Sequence, residues 1–106
     1  MTVRHCVFVK FKDNLSQSEI EDMIADIHGM KNVIDGIISV NTGANISIEG
    51  LDRGNTHAFT LDFVNFEAVE AYLPHPAHQL VAQKLVSMLD GGIDGVTAID
   101  FEISDV

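Results

Sequence analysis

The chain has 106 residues, enough for one domain with a modest core, and 46% hydrophobic residues with only two prolines exclude a disordered chain. Sixteen acidic residues against six basic ones leave a formal net charge of −10 with no lysine or arginine cluster, which argues against nucleic acid or an anionic membrane surface as partner. The lone Cys6 excludes an internal disulfide and suits a cytosolic protein, Lys10 and Lys12 cut the first apolar run short of a signal peptide, and nothing approaches the roughly twenty apolar residues of a membrane span.

Period-two alternation from Thr2 to Phe11 predicts a first strand, with His5, Val7, Val9 and Phe11 on one face and Arg4, Cys6, Phe8 and Lys10 on the other. Ser16 and Glu19 form a capping box ahead of Ile20, Met23, Ile24 and Ile27, so a first helix of about four turns is expected to end near Gly29 or Met30. A second strand spans Ile37 to Thr42. The stretch from Gly43 to Asn55 reads as a structured loop, rich in Asn, Gly and Ser but set with Ile46, Ile48 and Leu51, and is expected to fold over a sheet edge. Thr56 to Val64 alternates as a third strand that turns His57, Phe59, Leu61 and Phe63 to one side. Asn65 caps a helix carrying Phe66, Val69, Tyr72 and Leu73. A further helix follows Pro76 through Leu80, Val81, Leu85, Met88 and Leu89, and Val96 to Ile103 is the last strand.

This order, βαββαβ, is that of an α+β, ferredoxin-like sandwich in which the helices cover one face of a four-stranded antiparallel sheet. The other face keeps Cys6, Phe8 and Ala58, too apolar for water, so a second copy of the chain is the expected cover and the protein a homodimer.

The chemistry concentrates in Tyr72-Leu73-Pro74-His75-Pro76-Ala77-His78, which holds the only tyrosine, both prolines and two of the five histidines. Pro74 disfavours helical geometry at Leu73 and offers no amide hydrogen, so one helix should stop there and a second start at Pro76. His78 then falls in the first turn, where the helix terminus favours a neutral imidazole, a proton acceptor beside a phenol. His75, ahead of Pro76, is expected to point to solvent, and His28 to cap the end of the first helix. His-x-Pro-x-His across a kink lacks metal-ligand spacing, and there is neither a Gly-rich nucleotide loop nor a nucleophile turn, so no metal or cofactor is expected.

Four stretches resemble one family, the stress-responsive A/B barrel (Dabb) domain: Val3-Arg4-His5 with Phe11-Lys12, Asn45 to Leu51, Gly54-Asn55-Thr56-His57, and Tyr72 to His78. The likeness spans essentially the whole chain, residues 1–106, and implies a dimeric α/β barrel. One branch of that family catalyses aldol cyclisation of a linear polyketide thioester without metal or organic cofactor. The resemblance implies Tyr72 as the group holding the substrate oxygen, His78 as the base at carbon, and His5 and His57 as pocket lining. The sequence departs from that branch around the pocket: the first helix here carries Ile24, Ile27 and Met30 with no aromatic residue, so the resemblance does not extend to the acyl tail the pocket fits. Another branch comprises heat- and stress-induced plant proteins with no reaction attached.

A single inward histidine is usually a hydrogen-bonded core residue, whereas His5 and His57 on one face beneath Tyr72 and His78 would line a polar pocket, at opposite ends of it if the strands are antiparallel. Two readings follow: a small enzyme doing acid–base chemistry on a small apolar carbonyl or polyketide-like compound, or a non-catalytic dimer that binds a ligand or supports stress resistance.

Overall fold

Alternating and helical apolar patterns become β1 (Val3–Val9), α1 (Gln17–Gly29), β2 (Ile37–Ala44), β3 (His57–Phe63), α2 (Phe66–Tyr72), α3 (Pro76–Ser87) and β4 (Val96–Glu102) in the computed structural model, which describes residues 1–104. The strands form one antiparallel sheet in the order β2-β3-β1-β4, and the helices lie on one of its faces. This is the α+β, ferredoxin-like arrangement expected. The last two residues of the 1–106 domain lie outside the described ones.

The central strand β1 shows the alternation physically. Val3, His5, Val7 and Val9 are buried under the helices while Arg4, Cys6 and Phe8 stay half-buried on the open side. Against the buried row pack Phe59, Leu61 and Phe63 of β3, Met23 and Ile27 of α1, Val69 and Tyr72 of α2, and Leu85 of α3. Each such side chain stabilises the fold by about 1.5–3 kcal/mol through burial alone. The start of α1 is the reciprocal capping box, with Glu19 N donating to Ser16 Oγ and Ser16 N donating to Glu19 Oε1, both at 3.1 Å.

Several elements depart from expectation. The first strand stops at Val9, because the amides of Lys10 and Lys12 donate to Gly95 and Met88 instead of to a neighbouring strand; Phe11 remains buried through a single bridge to Leu89. Leu80 and Phe66, expected in the core, are exposed. Leu80 sits one residue, about 100° of rotation, from the Val81–Leu85 stripe, and α2 is short enough that Val69 and Tyr72 alone fill its inward side. In β2 a register shift between Ile37 and Ser39 interrupts the alternation.

The 45–55 loop is tied together by hydrogen bonds but leaves its isoleucines in solvent instead of packing them over an edge. Asn45 Oδ1 accepts from Ser47 N, Asn45 Nδ2 donates to Asp52 Oδ2, and Asp52 Oδ1 accepts from Gly54 N, each at 2.8 Å. On this frame Ile46 and Ile48 are almost fully exposed. On the helix-free face, Arg4 grips Asp62 through Nε and Nη2 at 2.8 and 2.9 Å and Ser39 Oγ adds a third bond to the carboxylate, so Asp62 is held below the usual carboxylate range. Around this closed pair lie Cys6 and Phe8, with Ile99 and Phe101 of β4 exposed.

The turn into β2 depends on Gly36. Its φ is 92°, and a Cβ there would stand 2.7 Å from the Cβ of Ala68 on α2. Gly36→Ala is therefore expected to lower stability by at least about 1 kcal/mol, read as a lower urea midpoint at unchanged slope; an unchanged midpoint would show that the turn and α2 can move apart without cost.

Candidate active site

Pro74 and Pro76 build the site by leaving backbone groups without their usual partners. The chain leaves α2 at Leu73, whose amide still bonds Val69, and re-enters a helix at Pro76. In a continuous helix the Ala77 amide would bond the Leu73 carbonyl. Here it donates instead to His75 Nδ1 at 3.0 Å, so His75 is the N-cap of α3 and not the solvent-facing residue expected. The orphaned Leu73 carbonyl accepts from His78 Nδ1 at 2.9 Å and from Gln79 Nε2 at 3.0 Å.

That bond sets the tautomer of His78. A carbonyl only accepts, so Nδ1 carries the proton and Nε2 is the free acceptor. Burial lowers the His78 pKa below its ordinary value, with the neighbouring charges of His5 and His75 adding and the Leu73 carbonyl opposing. Desolvation, more than the helix terminus invoked from sequence, keeps this imidazole neutral. Its ring lies against Tyr72 with centroids 4.1 Å apart at 38°. Tyr72 is 2% exposed, yet its hydroxyl has no hydrogen-bond partner among the described residues and is not sealed off, so it opens to the cavity it lines. Burial first, and the charge of Asp100 second, push the phenol well above its ordinary pKa, leaving a neutral hydrogen-bond donor.

His5 completes the group from below. Its ring stands 5.7 Å from Tyr72, edge to face, and its Nδ1 meets Asp100 Oδ1 at 2.5 Å. The carboxylate fixes Nδ1–H, which turns Nε2 of His5 away from Asp100. Together His5, Tyr72 and His78 line a cavity of about 250 Å³ between α3 and the sheet, whose remaining walls are apolar, among them Val7, Phe59, Leu85 and Val96.

His57 is not brought to this group. Antiparallel pairing sets His57 opposite Val9 and Leu61 opposite His5, so the two histidines are four positions apart on the buried face with Phe59 between them. His57 packs edge to face on Phe11 at 5.0 Å and its Nδ1 bonds Thr56 Oγ1 at 2.9 Å. The small space beside it, with Ile24 and Ile27 of α1, is only about 10 Å³. His28, expected as a helix cap, reaches Thr42 Oγ1 on β2 at 3.0 Å.

Asp100 escaped the sequence reading. Alternation along β4 turns Val96, Ala98 and Asp100 to the helix side, an acid where apolar residues were due, but only the register to β1 sets it opposite His5. Among the described residues no three His, Cys, Asp or Glu side chains gather as a metal-holding set. A larger hollow of about 410 Å³, with His57 among its lining, lies under the 45–55 loop beside Phe8 and Ala58, remote from Tyr72.

Comparison with known proteins gives a consistent result. The family model described as Stress responsive A/B Barrel Domain matches residues 3–103. A stress-response A/B barrel domain-containing protein of Arabidopsis thaliana is 34% identical over 104 residues, covering 98% of this chain and 92% of that one. Olivetolic acid cyclase of Cannabis sativa is 28% identical over 78 residues, 74% of this chain and 77% of the cyclase. Among solved structures, a dimeric ferredoxin-like protein of unknown function from Jannaschia sp. CCS1 superposes with a TM-score of 0.86 at 24% identity, covering 97% of this chain and all of that one. Matched by the family model over nearly its whole length, the chain belongs to the stress-responsive A/B barrel domain family.

Proposed function

We propose that this chain is a homodimeric, cofactor-independent acid–base catalyst acting at carbon next to a carbonyl, in an aldol cyclisation or related lyase or isomerase step on a small or polyketide-like substrate. The observation that carries the reading is the pairing of a neutral phenol with an imidazole whose tautomer is fixed, both facing one apolar cavity. The likeness to a relative named as a cyclase supports the reaction type.

In this mechanism the carbonyl oxygen accepts a hydrogen bond from the Tyr72 hydroxyl, and His78 Nε2 removes the proton from the adjacent carbon. Negative charge then develops on the oxygen, where the phenol's bond strengthens; a donor that stays protonated is what that charge requires. The imidazolium formed at His78 remains held by the Leu73 carbonyl and returns the proton to product. His5, oriented by Asp100, presents its second nitrogen to the same end of the cavity and positions the substrate.

The direct assay is deuterium uptake at the α-carbon of a small ketone in heavy water, followed by NMR. His78→Ala should slow exchange by about 10²–10⁴-fold and Tyr72→Phe by about 10²–10³-fold. His75→Ala should leave exchange nearly unchanged while costing about 1 kcal/mol of stability as a lost helix cap. Full exchange in His78→Ala would falsify the assignment of the base. Ketone binding without any exchange would favour a second reading, a non-catalytic ligand-binding dimer, which the 34% identity to a stress-response relative supports.

The sign of the pH dependence follows from the two shifts. Protonation inactivates His78, and its pKa is lowered from 6.5, so the acid half-point of the rate should lie below pH 6.5. Tyr72 is raised above its ordinary 10.0, so no alkaline decline is expected up to that pH. A rate already halved at pH 7 would contradict this environment for His78.

The helix-free face, with Phe8, Ile99 and Phe101 around the Arg4–Asp62 pair, supports association of two copies through their sheets. Light scattering at micromolar concentration should give the mass of a dimer. Phe8→Glu should shift it toward monomer while Phe66→Glu, on the helix side, should not; a monomer in the unaltered protein would end the barrel model.

A further inference from the structure

The cavity is polar at one end only. His5, Tyr72 and His78 meet there, and the rest of the lining is apolar. From the His5–Asp100 pair the strands run past Val7 and Ala98 to Val9 and Val96, four residues or about 13 Å farther on. The floor along this length, Val7, Phe59 and Leu85, is buried, whereas Ala98 and Ile93 on the rim are exposed. The cavity is thus a trough, open along the gap between α3 and β4, with Ile93 at the end away from the histidines.

Ile93 is held in place by its loop. The turn Gly92–Gly95 follows Gly91 and Gly92, whose φ angles are 80° and 62°, and Gly95 packs so closely that a Cβ would lie 2.7 Å from the Asp90 carbonyl. Lys10 N ties Gly95 O to the end of β1 at 3.0 Å.

Among the described residues no lysine or arginine serves the trough. None of its lining residues is Lys or Arg. Nearby, Lys10 pairs with Asp90, Lys12 donates to the Ser87 carbonyl, and Lys84 is turned to Asp26 on α1. Asp94 adjoins Ile93, and the net charge of −10 repels anions at longer range. An apolar cavity of about 150 Å³ accommodates benzene; the present trough, at about 250 Å³, has room for a ring or short chain beside the carbonyl.

We propose that the site takes an uncharged, apolar ketone or aldehyde of low mass, in preference to an anionic thioester or keto acid, and that Ile93 sets the length of tail it admits. The orientation, carbonyl at Tyr72 and tail toward Ile93, rests on the acid–base reading above.

Tyr72 is the only tyrosine and the chain has no tryptophan, so tyrosine emission reports from inside the cavity. Straight-chain methyl ketones of increasing length, and keto-carboxylates of matching length, are titrated against that signal, with thermal melting as a second readout. Neutral ketones should bind about fourfold more tightly per added methylene up to a limiting length, and the keto-carboxylates about tenfold more weakly or worse. Ile93→Ala should lengthen the limit and Ile93→Phe shorten it; the side chain is 69% exposed, so both variants should fold. Equal binding of neutral and anionic series overturns the substrate class, and a limit unmoved in both variants overturns the role of Ile93. Absence of binding by any neutral ketone overturns the proposal as a whole. Deuterium exchange read on the same mixtures separates the two ideas: ketones that bind with the expected length limit but never exchange sink the acid–base reading and leave the binding preference standing.

Discussion

Everything in this molecule hangs on the register of β1 between its two antiparallel neighbours. One ladder sets His5 against Leu61 and the other sets it against Asp100, so a single buried position acquires an apolar bed on one side and an orienting carboxylate on the other. A slip of one residue would send His5 to the helix-free face and bring Cys6 under the helices. The alternation of Val3, Val7 and Val9 opposes that slip, since each of those side chains would lose its burial with it.

The second constraint is local and comes from prolines. A helix that ran unbroken from Phe66 to Ser87 would bond every interior carbonyl, and Leu73 would have nothing to offer a side chain. The break at Pro74 turns the Ala77 amide away from that carbonyl, and the bond the carbonyl accepts from His78 orients the imidazole and selects its tautomer. His75 contributes by capping the new helix at the Ala77 amide. Chemistry and scaffold are therefore inseparable within seven residues: the proton acceptor exists in its form because the helix is broken where it is.

How much of this could be read in advance depended on the range of the interaction involved. The faces of β1 and β3, the capping box at Ser16, the Asn65 cap and the break at Pro74 are written within a few residues and were legible. So was the convergence of Tyr72 and His78, six residues apart across that break. His57 stands apart because alternation reports which face a residue takes and not how far along the strand it lies; four positions of register, and the Phe59 ring between, separate it from the group, as antiparallel pairing allowed. Asp100 was invisible for the same reason, since its partner is 95 residues away in sequence. Phe66 and Leu80 show the matching weakness in helices, where apolar residues at the margin of a stripe have no sequence mark distinguishing them from those inside it.

The Arg4–Asp62 pair has a bearing on salt. Because its charges are satisfied within one subunit by two parallel bonds, the pair itself offers no unpaired charge to an incoming copy. What acts at a distance is the repulsion between two bodies each carrying −10. At physiological ionic strength the screening length is about 8 Å, and it grows to about 30 Å at 0.01 M. Association through this face should accordingly tighten as salt is added and loosen in dilute buffer, the reverse of an interface built on complementary charges.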